Sequence, residues 1–314
     1  MINFMTSLFY GPPQAEPTEP IGPSLVEPIQ GSELNIIPEI HLNRIRTTSS
    51  LGTGGSSIVS QGKYQEKDVA LKEFYDKNVF KHELSIHQST NHPHIIKLLA
   101  YVADRACPSS PYEGSLVIEL AHRTVQDYLD DYTYSQRTEK VCAQFGRDLT
   151  QGIYYLHSKY LIHGDIKPEN ALIMPDGTLK ISDFGLSRQV SAARNFFFDP
   201  KQFGTRLYMP PETYVHIGGQ GYKYTPKVDI YTLGWVLFLL TTAKDKDPYQ
   251  GVTNMNMISH YHQQNILPNI PSTASPALKA LITSCWKQHP EERPDAFTVL
   301  QMAGQKDIVF RPKH

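Results

Sequence analysis

The feature that most constrains this chain is the stretch HGDIKPEN, which ends at Asn170 and is followed 13 positions later by Asp183-Phe-Gly. Two short apolar runs lie between them on either side of an Asp176-Gly177 turn, a pattern that predicts a β-hairpin. With that turn at its centre, position 170 pairs with position 183. The hairpin therefore predicts that the Asn170 carboxamide lies beside the Asp183 carboxylate.

These side chains suit a metal-bound phosphate. Carboxylate and amide oxygens are hard ligands that Mg²⁺ takes together with nucleotide phosphates, so we predict Asn170 and Asp183 to be metal ligands. Asp165 is a third carboxylate nearby, and Lys167 follows it on an extended loop, where its ammonium can neutralise a transferring phosphoryl group. The H-x-D-x-x-x-x-N pattern is weak alone and strong when Asp-Phe-Gly follows at hairpin spacing.

Upstream, two strand-like stretches flank a turn rich in glycine and serine at residues 52–57. Glycines let backbone N–H groups approach phosphates closely, although many such turns are only turns. The next strand places Ala70 and Lys72 on one face, because side chains alternate along a strand. A small side chain that admits a flat base, beside an ammonium, suits a nucleotide. The predicted nucleotide-binding residues of this part are Leu51, Gly52, Gly54, Val59, Ala70 and Lys72.

A helix is predicted next, because Phe80, Leu84 and His87 recur at the spacing of one helical face. Glu83 borders that face, where a carboxylate is costly without a cation. A solvated surface charge is the simpler interpretation of Glu83 taken alone. With Lys72 upstream and the HGDIKPEN loop downstream, we predict that Lys72 and Glu83 form an ion pair.

Taken in order, these motifs resemble those of eukaryotic-type protein kinases. The resemblance covers roughly residues 44–300. The matching positions are the glycine-rich turn, Val-Ala-Leu-Lys72, Glu83, His92-Pro-His-Ile, the loop from His163 to Asn170, Asp183-Phe-Gly, Gly204-Thr205-x-x-Tyr208-Met-Pro-Pro-Glu212, Asp229-Ile-Tyr-Thr-Leu-Gly234, and Cys285-Trp followed by Arg293-Pro. The last of these is similar to the tyrosine-kinase-like branch.

The resemblance implies an α+β, bilobal fold with a small β-rich N-lobe and a larger, mainly helical C-lobe. It implies an enzyme that uses ATP and Mg²⁺ to phosphorylate protein substrates, with Asp165 accepting the proton of the substrate hydroxyl. Lys72, held by Glu83, is expected to grip the α- and β-phosphates. The other implied positions are a gatekeeper at Ile118, an adenine-binding hinge at Glu119-Leu120-Ala121, and a buried ion pair between Glu212 and Arg293.

The same match sets the predicted domain limits. They are residues 1–43 for an N-terminal segment, 44–304 for the kinase domain (N-lobe about 44–118, hinge 119–121, C-lobe 122–304) and 305–314 for a short tail. The first segment is rich in proline and glutamate, which predicts disorder. Pro17, Pro20 and Pro23 form overlapping P-x-x-P motifs that suit a P-x-x-P reader, although Pro-rich segments without a docking role are common.

Composition sets outer limits on partners and compartment. A formal net charge of −1 gives no reason to expect nucleic acid or an anionic membrane as a partner. Cys107, Cys142 and Cys285 lack disulfide or metal-ligand spacing, which favours a reducing compartment. No signal-peptide pattern is present, and Leu233 to Leu240, the longest apolar stretch, is a core helix too short to span a bilayer. We expect a cytoplasmic protein, with nuclear residence left open.

Three departures from the kinase pattern are specific to this chain. In the glycine-rich turn, Ser57 replaces the third glycine and Ser56 replaces the usual aromatic residue at the tip, so weaker binding of phosphate is expected. His87 occupies a position usually held by an aliphatic residue, where an uncharged imidazole can pack. Gly164 stands where most kinases carry the arginine that receives a phosphorylated activation loop, so the chain is of the non-RD type.

The activation segment also lacks an acceptor for such a phosphate, since residues 192–204 contain no serine, threonine or tyrosine. Phe196-Phe197-Phe198 is the predicted substitute, because burying one phenylalanine contributes ~1.5–3 kcal/mol. A phenylalanine run that only caps a C-lobe groove is the alternative. Lys167 and Thr205 resemble the Ser/Thr-kinase pattern, which predicts serine and threonine as acceptors.

Two other functions fit part of the pattern. Small-molecule phosphotransferases also carry His-Gly-Asp-x-x-x-x-Asn, but they lack the segment from Gly204 to Glu212 and the Cys-Trp…Arg-Pro helix. A pseudokinase, which binds nucleotide without chemistry, usually lacks one of Lys72, Asp165 and Asp183, and all three are present. The altered glycine-rich turn keeps the pseudokinase alternative open.

Overall fold

This computed structural model describes residues 37–103, 111–131, 137–242, 248–249, 251–252 and 254–304. The P-x-x-P motifs, Cys107 and the predicted tail at 305–314 lie outside these residues. The predictions made for them therefore stay predictions, as do the predicted domain limits.

An antiparallel five-stranded sheet forms the N-terminal part of the described chain, with strand order β1-β2-β3-β5-β4. The strands are β1 Ile45–Thr53, β2 Ser57–Tyr64, β3 Lys67–Phe74, β4 Leu98–Val102 and β5 Gly114–Glu119. Both faces of β3 are buried, with Val69 and Leu71 in one apolar cluster and Ala70 and Phe74 in the other. Because a one-residue slip would exchange these faces, burial specifies the register of β3.

Residues 37–43, the described end of the segment predicted to be disordered, pack against this sheet. The Ile40 amide donates to the Tyr101 carbonyl at 2.9 Å, and the Tyr101 amide donates to the Pro38 carbonyl at 3.1 Å. Ile40 and Leu42 also touch the apolar cluster on that face of the sheet. These residues are therefore ordered, because a partner strand from elsewhere in the chain takes up their backbone groups.

Helix α1, Lys77–Gln88, follows β3 and carries the predicted buried face. Asp76 caps its start by accepting hydrogen bonds from the Asn78 and Val79 amides at 2.7 and 3.0 Å. The buried residues of α1 are Phe80, Glu83, Ile86 and His87. Leu84 is only half-buried, so Glu83 lies within the buried face rather than at its border.

The C-terminal part is mainly helical. Its helices are α2 Val125–Asp131, α3 Glu139–Ser158, α4 Lys227–Thr241, α5 Met255–Gln263, α6 Pro276–Cys285 and α7 Ala296–Ala303. Nearly all of α4 is buried, which confirms that Leu233 to Leu240 belongs to a core helix. No described helix has the length and apolar character that crossing a membrane requires. A β-rich N-terminal part followed by a helical part confirms the α+β, bilobal fold class.

Short strands shape the loops between these helices. They are β6 Arg123–Thr124, β7 Leu161–Ile162, β8 Ala171–Ile173, β9 Leu179–Ile181 and β10 Arg188–Gln189. Strands β8 and β9 form the predicted hairpin, but Asn170 faces Ser182 and not Asp183, so the predicted pairing is wrong by one residue. The loop has three residues rather than two, and its last residue, Gly177, has a φ of +85°, as in three-residue hairpin loops.

A three-stranded sheet that was not predicted from the sequence lies beside the activation segment. Its strands are β11 Phe197–Asp199, β12 His216–Ile217 and β13 Gly221–Tyr224, in the order β11-β13-β12. Gly221 has a φ of +99°, and a Cβ added there would collide with the carbonyl oxygen of Asp199. Only glycine therefore allows the β12–β13 hairpin to approach the activation segment this closely.

Candidate active site

The loop after β7 is anchored to the core helix α4 by Asp229. The fully buried Asp229 carboxylate accepts hydrogen bonds from the His163 and Gly164 amides at 2.9 and 2.8 Å, and from His157 Nε2 at 2.8 Å. Burial alone would raise its pKa, but the hydrogen bond with His157 and the loop contacts hold the pKa of Asp229 below its usual value. The loop that carries Asp165 is thus tied to α4.

Asp165, Lys167 and Thr205 form one hydrogen-bonded group. Asp165 Oδ1 accepts from the Thr205 amide at 3.0 Å and from the Thr205 hydroxyl at 2.8 Å. Lys167 Nζ lies 2.7 Å from Asp165 Oδ2 and donates to the Thr205 hydroxyl at 2.8 Å. A short aliphatic hydroxyl therefore fits against this carboxylate with an ammonium beside it.

Lys72, Glu83 and Asp183 form what we call the cleft ion cluster. Lys72 Nζ contacts the two Glu83 carboxylate oxygens at 2.7 and 2.9 Å and Asp183 Oδ1 at 2.9 Å, so the predicted Lys72–Glu83 ion pair is present. Burial alone would lower the pKa of Lys72, but the two carboxylates raise it above its usual value. Lys72 therefore stays a cation inside the protein.

The two predicted metal ligands lie at the open end of the β8–β9 hairpin. The Asn170 amide nitrogen donates to the Asp165 carbonyl at 2.9 Å and to Asp165 Oδ2 at 3.1 Å, which leaves its amide oxygen for another partner. Asp183, with a φ of +66° and a half-exposed side chain, uses one carboxylate oxygen for Lys72. Two hard oxygen donors without a closed cage fit Mg²⁺, which keeps waters and phosphates as its other ligands.

The predicted nucleotide-binding residues line the strands above this loop. Ala70 is buried and faces the implied gatekeeper, Ile118, across β3 and β5. In the glycine-rich turn, Leu51 is half-exposed and a Cβ at Gly52 would meet no atom within 4 Å. Val59, half-buried, pairs with Lys72 across β2 and β3. Their contacts with a nucleotide stay predictions.

The start of the implied hinge is held by side-chain contacts outside the cleft ion cluster. The Glu119 carboxylate accepts hydrogen bonds from Lys180 Nζ at 2.6 Å and from the Lys97 amide at 2.7 Å. Ala121, two residues later, is half-buried. Adenine binding by the backbone from Glu119 to Ala121 stays a prediction.

His87 packs on Phe184 as an uncharged imidazole. The rings meet edge to face with centroids 4.8 Å apart, and burial lowers the pKa of His87 to about 3. His87 Nδ1 is buried without a hydrogen-bond partner. His163 contacts Phe184 from the catalytic loop at 5.4 Å, so this one ring joins α1 to that loop.

The ion pair implied for Glu212 and Arg293 is present. Arg293 NH1 and NH2 each lie 2.7 Å from a different Glu212 carboxylate oxygen, and Arg293 is almost wholly buried. Such a two-point contact specifies both distance and orientation. It ties the end of the activation region to the segment before α7.

Sequence reasoning missed part of this architecture. Beside Gly164, the Arg188 guanidinium makes a cation–π contact with the Phe203 ring, which stacks on Tyr224. His82 contacts the loop after Phe184. No spacing rule joins these positions. The only local signal was the glycine-rich turn at residues 218–221, which is typical of a hairpin.

Comparison with known proteins gives a consistent match. The family model described as "Protein kinase domain" matches residues 45–303. The chain is 29% identical over 278 residues to the serine/threonine/tyrosine-protein kinase HT1 of Arabidopsis thaliana, which covers 85% of this chain and 67% of HT1.

Two further relatives are the dual specificity protein kinase shkA of Dictyostelium discoideum and mitogen-activated protein kinase kinase kinase 7 of Bos taurus. The first is 30% identical over 82% of this chain and 48% of shkA, and the second 28% identical over 84% of this chain and 44% of the relative. The chain spans between about a fifth and two thirds of the length of the curated relatives that it matches. With the motifs, the fold and a family match over most of its length, the chain belongs to the protein kinase domain family.

Proposed function

We propose that this chain transfers the γ-phosphoryl group of ATP to serine and threonine hydroxyls of protein substrates. The observation that carries the proposal is the Thr205 hydroxyl, held 2.8 Å from Asp165 Oδ1 with Lys167 beside it. A serine or threonine hydroxyl of a substrate that approaches Asp165 in the same way can give its proton to this carboxylate as it attacks phosphorus. Kinases of this family use ATP with a divalent metal, generally Mg²⁺.

Each charged residue has a distinct part in this proposal. Asp165 orients the substrate hydroxyl and accepts its proton, and Lys167 balances charge on the transferring group. Lys72, kept cationic by Glu83, holds the α- and β-phosphates. Asp183 and Asn170 would hold Mg²⁺, which when bound neutralises charge on the phosphates.

Serine and threonine specificity rests on the space around Asp165. Lys167 and Thr205 enclose the carboxylate closely, which suits a short hydroxyl side chain better than a phenol that reaches farther. The relative HT1 is named a serine/threonine/tyrosine-protein kinase and the relative shkA a dual specificity protein kinase. Tyrosine phosphorylation is therefore the competing outcome of the test.

Two alternatives have less support. A nucleotide-binding scaffold without chemistry does not require Lys72, Glu83 and Asp183 to be joined at 2.7–2.9 Å, as they are here. A small-molecule phosphotransferase does not require the Glu212–Arg293 ion pair that supports the peptide-binding segment in this family. Neither alternative is favoured by an observation of its own.

We also propose that activity does not depend on activation-loop phosphorylation. The support is that residues 192–204 offer no hydroxyl, Gly164 offers no cation, and β11 is held by pairing with β13. A reducing compartment, cytoplasmic or nuclear, is proposed as well, since the described cysteines, Cys142 and Cys285, are free and buried.

Labelled ATP separates these possibilities in one experiment. The chain is incubated with Mg²⁺ and labelled ATP, without and with a mixed protein substrate, and phosphoamino acids are then identified. Transfer to protein as phosphoserine and phosphothreonine supports the proposal. Phosphotyrosine as the main product contradicts the specificity, and nucleotide binding without transfer supports the scaffold alternative.

A further inference from the structure

Three rings from the activation segment and the following hairpin form what we call the aromatic stack: Phe197, Phe203 and Tyr224. The centroids of Phe203 and Tyr224 are 4.1 Å apart with planes 10° from parallel, and Phe197 lies 5.2 Å from Tyr224 at 9°. The Phe203 amide donates to the Tyr224 hydroxyl at 3.0 Å. The activation segment is thus joined to β13 by rings as well as by backbone pairing.

The aromatic stack fills the space beside Gly164. A Cβ added to Gly164 would lie 3.1 Å from Phe203 Cε2 and 3.2 Å from the Leu186 carbonyl oxygen. Gly164 also has a φ of +82°, a conformation that favours glycine. The position where most kinases carry a phosphate-receiving arginine is therefore taken up by an aromatic ring.

Arg188 joins the aromatic stack to the loop after Phe184. Its guanidinium carbon lies 5.5 Å from the Phe203 ring centre and 6.0 Å from that of Phe197, within the range of cation–π attraction. Arg188 NH2 lies 3.5 Å from Asp199 Oδ2 in β11, and NH1 donates to the Ser187 carbonyl at 3.0 Å. The activation segment supplies both the rings and the carboxylate that hold this arginine.

The Ser187 carbonyl connects this arrangement to α1. It also accepts from His82 Nε2 at 2.8 Å, and His82 precedes Glu83 in the helix. The Ser187 hydroxyl donates to the His163 carbonyl at 3.1 Å, in the catalytic loop. A continuous set of contacts therefore runs from the aromatic stack through Arg188 and Ser187 to the helix that supplies Glu83.

We propose that Phe197, Phe203, Tyr224 and Arg188 are positioning residues, which hold α1 so that Glu83 pairs with Lys72. In this chain they do what a phosphate on the activation segment and its receiving arginine would do. The proposal rests on the proposed kinase function for its kinetic consequence, but its structural consequence can be measured without nucleotide.

The test compares two neighbouring phenylalanines. Phe197→Ser removes a ring of the aromatic stack, whereas Phe198→Ser removes a ring that pairs instead with Phe196, 5.5 Å away. We expect Phe197→Ser to lower kcat by about tenfold, since a packed aromatic pair contributes a free energy of that order. Phe198→Ser should stay within about twofold of the parent protein.

Amide hydrogen exchange in the nucleotide-free protein supplies the second measurement. In Phe197→Ser we expect faster exchange both in residues 188–204 and in α1, whereas Phe198→Ser should leave α1 unchanged. Tyr224→Phe keeps the ring but loses the hydroxyl that accepts from the Phe203 amide, so it should lower kcat and speed α1 exchange less than Tyr224→Ser does. If Phe197→Ser does not fold, Arg188→Lys, which keeps the charge but loses the planar contact with the rings, replaces it.

Faster exchange confined to residues 188–204, with α1 unchanged, would overturn the proposal, because the aromatic stack would then be only local. Equal effects of Phe197→Ser and Phe198→Ser would overturn it too. A parent protein without phosphoryl transfer would contradict the proposed function alone, since the exchange comparison does not depend on activity.

Discussion

The cleft ion cluster and the aromatic stack hold their regions by different physical means. Lys72, Glu83 and Asp183 are joined by charge-assisted hydrogen bonds at 2.7–2.9 Å with little exposure of Lys72 and Glu83. The aromatic stack uses ring contact and backbone pairing. Removing one partner of a buried ion pair leaves an uncompensated charge inside the protein. Phe197 and Phe203 are only half-buried, so removing one of these rings takes away less buried apolar surface. The first region should therefore respond more strongly to single substitutions than the second.

The largest expected effect is on Asp165, next to the cleft ion cluster. Asp165→Asn should lower kcat by ~10²–10⁴-fold, the usual contribution of a positioned acid–base group, and leave nucleotide binding nearly intact. Steady-state kinetics and a nucleotide-binding titration measure the two quantities. Asp176→Asn, a carboxylate in the β8–β9 loop, is the matched control with parental kcat. Equal turnover of Asp165→Asn and the parent protein contradicts the assignment.

The second effect breaks the cleft ion cluster itself. Glu83→Gln keeps the shape of the side chain but leaves buried Lys72 with one carboxylate, so the free energy of unfolding should fall by about 3 kcal/mol. The KM for ATP should rise as Lys72 loses its orientation. Glu73→Gln on β3 is the control, because Glu73 is also buried but lies outside the cleft ion cluster. Denaturant unfolding measures the free energy of unfolding of both variants. Equal losses of stability in Glu83→Gln and Glu73→Gln would contradict the proposed role of the ion pair.

The third effect breaks the contact between β13 and the activation segment. Gly221 and Gly219 both have positive φ, at +99° and +70°, but only a Cβ at Gly221 would meet the activation segment. Gly219→Ala should lower the free energy of unfolding by about 1 kcal/mol through backbone strain alone. Gly221→Ala adds a collision with Asp199 and should cost about 3 kcal/mol. Comparable losses in thermal or denaturant unfolding would show that the β11–β13 contact is not tightly packed.

The fourth effect concerns His87 and the pH dependence of the free energy of unfolding. The pKa of His87 falls from 6.5 to about 3 on folding, so below pH 6.5 the unfolded chain binds the proton more readily. The free energy of unfolding should therefore fall by ~1.4 kcal/mol per pH unit as pH drops from 6.5 towards 3.

His87→Leu should remove this contribution, so that the loss of stability between about pH 6.5 and 5 becomes smaller by about 2 kcal/mol. His262, whose pKa burial lowers to about 4, contributes to the slope in both proteins. Urea unfolding at the two pH values measures the difference. Identical pH dependence in parent and variant would mean that His87 is not neutral and buried in solution.

The smallest expected effect is that of phosphatase treatment. The treatment should leave kinase activity unchanged, because the aromatic stack orders the activation segment without phosphate. Loss of activity after this treatment, traced to removal of a phosphate from Ser191 or Thr205, would contradict this expectation. It would also contradict the difference drawn between the two regions. A phosphatase-sensitive kinase assayed in parallel shows that the treatment worked.

The two regions also differ in how far the sequence predicted them. The pairing of Lys72 with Glu83 was predicted from helix periodicity, which placed Glu83 at the border of a buried face, together with Lys72 upstream and the HGDIKPEN loop downstream in the chain. The hairpin between Asn170 and Asp183 was predicted, but its predicted register was wrong by one residue. The loop has three residues, the last of which is Gly177, and the prediction assumed two. Loop length sets hairpin register, and Pro-Asp-Gly is compatible with more than one loop.

The aromatic stack could not be predicted in the same way. Phe203 and Tyr224 are 21 positions apart, and no motif indicates that they touch. The sequence singled out the run from Phe196 to Phe198 but gave no reason to separate them. The register of β11 on β13 brings Phe197 opposite Tyr224 and so into the aromatic stack.

The amino-acid sequence by itself determined the family, the fold class and the charged residues of the cleft, because those depend on residue types at short, regular spacings. The tertiary structure alone decided that Gly164 makes room for Phe203 and that Arg188 joins the activation segment to α1. Contacts between distant segments depend on strand pairing and on how closely backbones approach, as at Gly221. Local periodicity carries no information about either, since both arise only when the sheet and the helices are packed together.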